Sequence, residues 1–247
     1  MAPGPSSSWP ALRLNPRPRI ESLAVGGRLL CHVVDDALLD PEAWVDFAVA
    51  ESACFQPSPG NAFPGSEIRL PDAQSLSLAT FFSEHSRRAF DARRVERHHA
   101  RLSIVDRRPQ DLHPRQWQCH VDRIDTGPGE SVAAALLYLF RDASLGGTSF
   151  YRPLKDREAT VAMIQDSAAL PPAEFSARHG VSPGYMTASN AWFEKVATVP
   201  AAWNRLILYS GTVFHSGEIA RPGALDSHPA RGRLTINAFF SCRRRAA

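Results

Sequence analysis

Three mainly apolar stretches in the second half of the chain have the length of buried β-strands. They are residues 131–140, 203–210 and 233–240. Each is bounded by glycine or polar residues and is shorter than most helices, which favours strands. The alanines of the first stretch would also tolerate a helix, so periodicity alone leaves that alternative open.

The last of these stretches alternates between polar and apolar positions. Arg233, Thr235 and Asn237 fall on one face of a strand, and Leu234 and Ile236 fall on the other. A buried arginine is rarely left without a partner. The pattern therefore predicts an inward-facing arginine, whose partner is either a structural acid or the carboxylate of a ligand.

The first half of the chain adds helices to these strands. One helix is predicted over residues 43–50, after the start signal Asp40-Pro41-Glu42, and a second over residues 76–96. Residues 29–34 and 115–119 have the pattern of strands. This order of elements predicts an α+β fold, in which N-terminal helices buttress an antiparallel β-barrel or jelly roll.

Composition divides the chain into parts. Residues 1–19 are rich in proline and serine and contain no acids, which predicts a mobile N-terminal arm. Residues 20–247 have the length of a single domain. Within it, residues 155–200 form a longer connection than a barrel turn requires, with helical patterns at 158–169 and Pro172–His179. Loops of that length are often functional, so a lid or a substrate-binding insertion is predicted there.

The most informative polar pattern is His120-Val121-Asp122, together with His215 far downstream. In an extended strand the side chains at positions 120 and 122 point to the same face. Two histidines and one carboxylate with open positions form the ligand set of non-haem Fe(II) oxygenases. The pattern His-x-Asp alone is weak, and a solvated pair on a loop is the competing interpretation.

The blocks around these residues resemble a known family. In order they are HVD at 120–122, a strand ending in LLYLF, GGTSFY at 146–151, NRLILYSGTVFH at 204–215 and GRLTINAFF at 232–240. In this order the chain resembles the Fe(II)/2-oxoglutarate-dependent oxygenases, in particular their prolyl-4-hydroxylase-like branch. The resemblance covers about residues 98–242. It implies a double-stranded β-helix, or jelly roll of the cupin type, with Fe(II), 2-oxoglutarate and O2 as cofactor and co-substrates.

The resemblance also implies roles for individual residues. His120, Asp122 and His215 would be the catalytic iron ligands. Arg233 lies where the family has the arginine that binds the distal carboxylate of 2-oxoglutarate, and a guanidinium can donate two parallel hydrogen bonds to that group. The hydroxyl of Tyr138 would help to hold the same carboxylate, and that of Thr235 is a further candidate.

One spacing departs from the family pattern. The arginine usually follows the second histidine by about ten residues, whereas here it follows by 18 (233 − 215). Residues 220–231 contain two prolines and a glycine and are predicted to be a loop insertion. Arg231 and Arg221 are therefore rival carboxylate ligands, and Arg233 is favoured because it begins the strand pattern.

The implied activity is that of an oxidoreductase. Halogenating relatives have a small residue at the carboxylate position, so Asp122 favours hydroxylation of a C–H bond. The substrate would be a peptide, an amino acid or a small metabolite, and Tyr185, Trp192 and Phe193 are candidate contacts in the insertion. Two alternatives stay open: a zinc-dependent hydrolase with the same three ligands, and an inactive barrel that serves as a binding module.

Composition and the remaining motifs exclude other classes. The net charge of +3 is too small to indicate a nucleic-acid partner, and the arginines at 243–245 are expected to be solvated. The four cysteines show neither a zinc-ribbon spacing nor a disulfide framework. No signal-peptide pattern and no membrane-length apolar run occurs, so a cytoplasmic protein is expected. Hydrolase, P-loop and dinucleotide motifs are lacking as well.

Overall fold

The computed structural model describes residues 4–57, 62–122 and 127–244, which form two antiparallel sheets and several helices. The strands are β1 (Ile20–Val25), β2 (Arg28–Val34), β3 (Gln56–Pro57), β4 (Gly65–Arg69), β5 (Ala92–Val105), β6 (Glu130–Tyr138), β7 (Thr148–Pro153), β8 (Phe193–Val199), β9 (Leu206–Ser210), β10 (Phe214–Gly217) and β11 (Arg233–Arg244). The α-helices are α1 (Glu42–Ala50), α2 (Asp72–His85), α3 (Arg157–Ala169) and α4 (Pro172–His179). Short 3-10 turns lie at Ser52–Cys54, Pro109–Asp111, Pro114–Gln116, Ala143–Leu145 and Pro222–Ala224.

The larger sheet has the strand order β1-β2-β9-β6-β11-β5-β4-β3, and the smaller sheet has the order β10-β7-β8. All of the strand pairs are antiparallel. Side chains of β6 and β9 pack against those of β7 and β8 in one apolar cluster, so the smaller sheet covers one face of the larger. The predicted fold class, a jelly roll buttressed by helices, is confirmed.

Strand β11 shows why the larger sheet has two different faces. Leu234, Ile236 and Phe240 are buried in the cluster that also contains helices α1 and α2. Arg233 and Asn237 lie on the opposite face and line a cavity between the sheets. The alternation of polar and apolar residues along this strand predicted that Arg233 faces inward, and that prediction is confirmed.

Helix α2 anchors the helical layer on the larger sheet. Phe82 is fully buried and stacks on Phe240 of β11, with ring centroids 5.0 Å apart. Trp44 and Phe47 of α1 belong to the same cluster. Burial of such large aromatic side chains contributes much of the stability of a core.

Two local predictions are wrong. The helix predicted over 76–96 ends at His85, and residues from Ala92 onward belong to β5. Asp91, with a positive φ of 55°, lies in the turn between them. Strand β5 then pairs with β11 on one side and with β4 on the other. Tertiary pairing thus overrides a local helical pattern that is rich in charged residues.

Residues 115–119 are not a strand either. The segment begins in the 3-10 turn Pro114–Gln116, where Pro114 has no N–H to give to a sheet. His113 caps this turn by accepting a hydrogen bond from the Arg115 N–H at 3.4 Å. The helices predicted within 155–200 are present as α3 and α4, whereas β8 was not predicted.

The N-terminal segment packs on the domain where it is described. The ring of Trp9 lies 4.4 Å from that of Phe47, and Leu12 is buried. The Ser7 N–H donates to Glu51 at 2.6 Å. Trp9 and Leu12 thus pack against the apolar cluster that contains α1. Residues 1–3 lie outside the described part of the chain. The division into an arm, a domain over 20–247 and an insertion over 155–200 stays a prediction.

Candidate metal centre and anion site

Backbone hydrogen bonds join the two segments that carry the predicted metal ligands. The N–H of His120 donates to the His215 carbonyl at 2.9 Å, and the N–H of His215 donates back at 2.8 Å. The Asp122 N–H donates to the Gly211 carbonyl at 2.8 Å. His215 is held on β10, and the short ladder fixes His120 and Asp122 beside it.

The three side chains converge as the sequence pattern requires. Their potential ligand atoms all lie within 4.8 Å of one another. The rings of His120 and His215 are 4.5 Å apart, and His215 Nε2 is 3.6 Å from Asp122 Oδ1. Folding therefore brings together residues that are 93 positions apart in the sequence (215 − 122).

Neighbouring groups determine which nitrogen of His215 can bind a metal. Its Nδ1 lies 2.9 Å from the Val213 carbonyl, which can only accept a hydrogen bond. The proton is therefore on Nδ1, and the lone pair of Nε2 points toward Asp122 and the Tyr209 hydroxyl, which is 3.2 Å away. A hydrogen bond from the second ring nitrogen is the usual way in which proteins orient a metal-binding histidine.

The donor set fits a divalent cation. Asp122 is largely buried, and its Oδ2 has no hydrogen-bond partner among the described residues. Burial raises the pKa of this carboxyl group, whereas the nearby His215 acts in the opposite direction. A cation would supply the partner that the buried carboxylate lacks, since two imidazoles and a carboxylate suit Fe(II) and similar metals.

His120 has the protonation state that metal binding needs. Burial, followed by the charge of His215, lowers the pKa of His120 to about 3. Its imidazole is therefore neutral near pH 7, and a neutral ring nitrogen is the form that binds metals.

Arg233 lies in the same cavity as these three residues and is almost fully buried. Its Nε donates to the Gly146 carbonyl at 3.1 Å, and its Nη2 donates to the Gly147 carbonyl at 2.9 Å. Within the described residues no carboxylate lies at ion-pair distance, and burial lowers the pKa of the guanidinium. Because a buried charge without a counter-charge is costly, this position calls for an anionic ligand.

The two rival arginines lie elsewhere. Arg231 pairs with Asp226 at 2.7 Å on the surface, and Arg221 is exposed. The unusually long connection between His215 and Arg233 forms a surface loop that includes the 3-10 turn Pro222–Ala224. The extra residues thus leave β11, and with it Arg233, in place.

The predicted partners of Arg233 are close to it, but one neighbour was missed. Tyr138 is fully buried; its ring lies 5.9 Å from the guanidinium carbon of Arg233, and its hydroxyl donates to Thr148 Oγ1 at 2.8 Å. Thr148 lines the cavity and was not singled out from the sequence, although it follows the two glycines of the GGTSFY block. The buried hydroxyl of Thr235 has no partner among the described residues.

The candidate substrate contacts separate into different environments. Tyr185 lines the cavity and donates its hydroxyl to the Arg107 carbonyl at 2.6 Å. Phe193 is fully buried in an apolar cluster, and Trp192 packs against that cluster and donates to the His179 carbonyl at 2.8 Å. Neither Trp192, which precedes β8, nor Phe193, the first residue of β8, lines the cavity.

The cavity has a volume of about 540 Å³, which is typical of a small-molecule site. Its wall also includes Gln118, Asn237, His99 and Arg101, which were not predicted as site residues. The pairing of β5 with β11 brings His99 and Arg101 beside Asn237, whereas Gln118 comes from the segment just before His120.

An Fe(II)-type ligand set on a jelly-roll scaffold is thus the class of site that fold and residues define. Residues 16–240 match the family model described as family of unknown function DUF6445, so the chain belongs to that family. No curated protein has a significant sequence match to the chain.

Several solved structures are similar in shape. The non-haem α-ketoglutarate-dependent carbocyclase SnoK from nogalamycin biosynthesis has a TM-score of 0.48 and 15% identity, covering 86% of this chain and 79% of its own. HygX from Streptomyces hygroscopicus, solved with nickel and 2-oxoglutarate, has a TM-score of 0.46 and 11% identity, with coverages of 86% and 82%. A prolyl-4-hydroxylase from Pseudomonas putida has a TM-score of 0.38 and 14% identity, with coverages of 84% and 89%. At such identities the chemistry of this chain has to follow from its own residues.

In the described part of the chain, none of the helices has both the length and the apolar character that crossing a membrane requires.

Proposed function

We propose that the protein is a non-haem Fe(II)/2-oxoglutarate-dependent oxygenase that hydroxylates a C–H bond of a peptide, an amino acid or a small metabolite. One observation carries the proposal. A buried guanidinium without a counter-charge among the described residues, Arg233, faces the same cavity as His120, Asp122 and His215. A metal would bind to the three ligands, and an anionic co-substrate would supply the counter-charge for Arg233.

The three proposed ligands support a metal with open coordination positions. They come from one side of the cavity, where the ladder between β10 and His120 holds them. With only these three protein ligands, a metal would keep positions for exchangeable ligands, as in the facial triads of iron oxygenases. When Fe(II), 2-oxoglutarate and O2 are bound, they supply the oxidising chemistry that converts C–H to C–OH and releases succinate and CO2.

The remaining residues would bind and orient 2-oxoglutarate. Arg233, already held by the carbonyls of Gly146 and Gly147, would donate to the distal carboxylate of 2-oxoglutarate. Tyr138 donates to Thr148, so the Thr148 hydroxyl is left free to donate its own proton toward the cavity. Thr235, with its unsatisfied hydroxyl, is the further candidate for this carboxylate.

The aspartate supports hydroxylation as the outcome. Asp122 would fill the third ligand position with a carboxylate, whose Oδ1 lies 3.6 Å from His215 Nε2 and whose Oδ2 has no partner among the described residues. A smaller residue there would leave a coordination position for a halide. Membership of the prolyl-4-hydroxylase-like branch, and the choice between peptide and small-molecule substrates, stay predictions.

Turnover of 2-oxoglutarate tests the proposal. Protein expressed and stripped of metal is loaded anaerobically with Fe(II), 2-oxoglutarate and ascorbate, then exposed to O2, and succinate is measured. Succinate above the protein-free background, lost in Asp122→Ala, is the expected result. Hydrolysis that depends on Zn(II) and not on 2-oxoglutarate would instead favour the hydrolase, and saturable ligand binding without any succinate would favour a binding module.

A further inference from the structure

The cavity face of the larger sheet changes from apolar to charged along one row of paired residues. In register across β4, β5, β11 and β6, this row contains Arg69, Arg101, Asn237 and Leu136. Residues that pair directly across antiparallel strands lie on the same face. The half of the face near β6 is therefore apolar, whereas the half near β4 and β5 carries guanidinium and amide groups.

The guanidinium of Arg101 is anchored by a single acid, Glu67. Its Nη1 donates to Glu67 Oε2 at 2.8 Å, and Ser103 donates to the other oxygen of Glu67 at 3.3 Å. Among the described residues this is the only hydrogen bond of the guanidinium, which also lies 5.9 Å from the ring of Phe239. The buried Glu67 thus orients the planar guanidinium of Arg101, a residue that lines the cavity.

Two further arginines lie near Arg101. The cavity continues at Glu67, His99 and Arg101 into a second depression, which Arg69 and Arg97 also line. Burial lowers the pKa of His99 first, and the charges of Arg101 and Arg69 lower it further.

The acids near this depression are already paired. Glu96 lies 3.0 Å from Arg94 and 3.5 Å from Arg243, and Asp72 lies 4.0 Å from Arg69. Glu67 is bonded to Arg101 itself. Three arginines and three acids line the depression, so its formal charges balance, and an anion would bind there through the guanidinium donors of Arg101 rather than through an excess of positive charge.

Two amide side chains that line the same cavity have groups without a hydrogen-bond partner among the described residues. Gln118 is 4% exposed, and its Oε1 has no hydrogen-bond partner among the described residues. The amide of Asn237, on the cavity face between Arg101 and Leu136, makes no hydrogen bond within the described part of the chain. Buried amide groups of this kind usually find a partner, so a polar ligand is expected to supply one.

We propose that Arg101, with Gln118 and Asn237, forms a substrate subsite for a small molecule that has a carboxylate and a polar, hydrogen-bonding body. The inference rests on the proposed function, because it names the substrate class of the same cavity. The carboxylate binds Arg101, the polar body meets the two amides, and the C–H bond to be oxidised lies toward His120 and His215. A carboxylate suits this position better than a phosphate dianion, because Glu67 beside Arg101 repels a second negative charge.

Calorimetry with matched probes tests the subsite. Full-length protein is loaded with Ni(II) and saturating 2-oxoglutarate, so that Arg233 is already occupied. It is then titrated with N-acetyl amino acids of different side-chain classes and with the corresponding carboxamides, which have the same shape without the charge. At least one acid is expected to bind about tenfold or more tightly than its amide, as a charge-assisted hydrogen bond predicts.

Variants test whether Arg101 causes the preference for the acid over the amide. Arg101→Gln should reduce it to less than about twofold, and Arg101→Lys, which keeps the charge without the fork, should retain part of it. Arg152→Gln is the control, because Arg152 pairs with Glu194 on the exposed side of the smaller sheet. Equal binding of all acids and amides, absence of binding by every probe, or an unchanged preference in Arg101→Gln would overturn the subsite. Failure of 2-oxoglutarate itself to bind the Ni(II) protein would instead overturn the proposed function.

Discussion

Arg233 is the residue that most clearly separates this cavity from an ordinary apolar core. Its guanidinium is buried at the start of β11, and its hydrogen bonds among the described residues go to two backbone carbonyls rather than to an acid. A structural arginine would be expected to have a carboxylate partner. At the residue scale, the three proposed metal ligands and a buried guanidinium without an acidic partner among the described residues share one cavity.

Replacing Arg233 should separate co-substrate binding from metal binding. Arg233→Gln is expected to weaken 2-oxoglutarate binding to the Ni(II) protein by about 10- to 100-fold, because charge-assisted hydrogen bonds are lost. Ni(II) affinity should not change. Calorimetry measures both, with Arg231→Gln as the surface control; equal loss of 2-oxoglutarate affinity in the two variants would contradict the assignment.

Replacing His215 should abolish metal binding itself, which the Arg233 variant should leave unchanged. His215→Ala removes the ring that lies beside both His120 and Asp122, so Fe(II) and Ni(II) binding should be lost. His85→Ala is a suitable control, because His85 ends helix α2 on the other face of the larger sheet. Metal content after dialysis against a known concentration of Ni(II) gives the result, and retention of one equivalent by His215→Ala would exclude His215 as a ligand.

Sequence alone predicts those residues whose chemistry is recognisable in a short block. His120, Asp122, His215, Arg233 and Tyr138 belong to this group. Arg101 and Gln118 do not belong to it, and Thr148 and Asn237 lie inside recognisable blocks but were not distinguished there from structural polar residues. Their common feature is the cavity they line, and that depends on pairing between distant strands.

At the scale of elements, the turn between β9 and β10 positions the aspartate. Gly211 accepts a hydrogen bond from the Asp122 N–H at 2.8 Å, and it leaves room for the Asp122 side chain. A Cβ at position 211 would lie 2.7 Å from Val132 Cγ1 and 3.0 Å from Asp122 Oδ2. The glycine is thus required by close packing against the carboxylate.

Gly211→Ala should therefore weaken metal binding without removing a ligand. We expect a loss in Ni(II) affinity on the order of tenfold, as for other groups that orient metal ligands, and a destabilisation of about 1–3 kcal/mol from overpacking. Gly223→Ala is the matched control, because nothing lies within 4 Å of a Cβ at that position. Identical Ni(II) affinities for the two variants would show that Gly211 does not position Asp122.

The elements differ in how far local patterns predict them. The apolar runs that became β6, β9 and β11 were predicted because burial on both faces leaves a clear signal. The beginning of strand β5 was predicted to be helical, since its residues are mostly charged there and its pairing with β11 decides its structure. Strand β8 depends in the same way on its partner β7.

At the scale of the whole molecule, the helical layer and the cavity lie on opposite faces of the larger sheet. Helices α1 and α2 pack on one face, and the proposed metal and anion sites lie on the other. The apolar core that stabilises the fold and the cavity that holds the proposed site are therefore on different faces of the sheet, although β11 contributes residues to both.

Phe82→Ala tests this separation. Removing a fully buried aromatic ring should lower the free energy of unfolding by about 3–5 kcal/mol. The Ni(II) affinity of the folded protein should stay as in the wild type, because Phe82 contacts the helix-covered face of β11. Leu76→Ala, at an exposed position of the same helix, should change the stability by less than about 0.5 kcal/mol in urea unfolding. A Ni(II) affinity that falls with stability in Phe82→Ala would show that the layers are coupled.

The most direct test of the proposed function is an anaerobic optical titration of the Fe(II) protein with 2-oxoglutarate. A visible metal-to-ligand absorption band should appear and saturate at one 2-oxoglutarate per iron in the wild type. It should require a higher concentration in Arg233→Gln and should be absent in His215→Ala. If the wild type binds Fe(II) but shows no band, or if the band forms equally well in all three proteins, the shared iron and 2-oxoglutarate site does not exist.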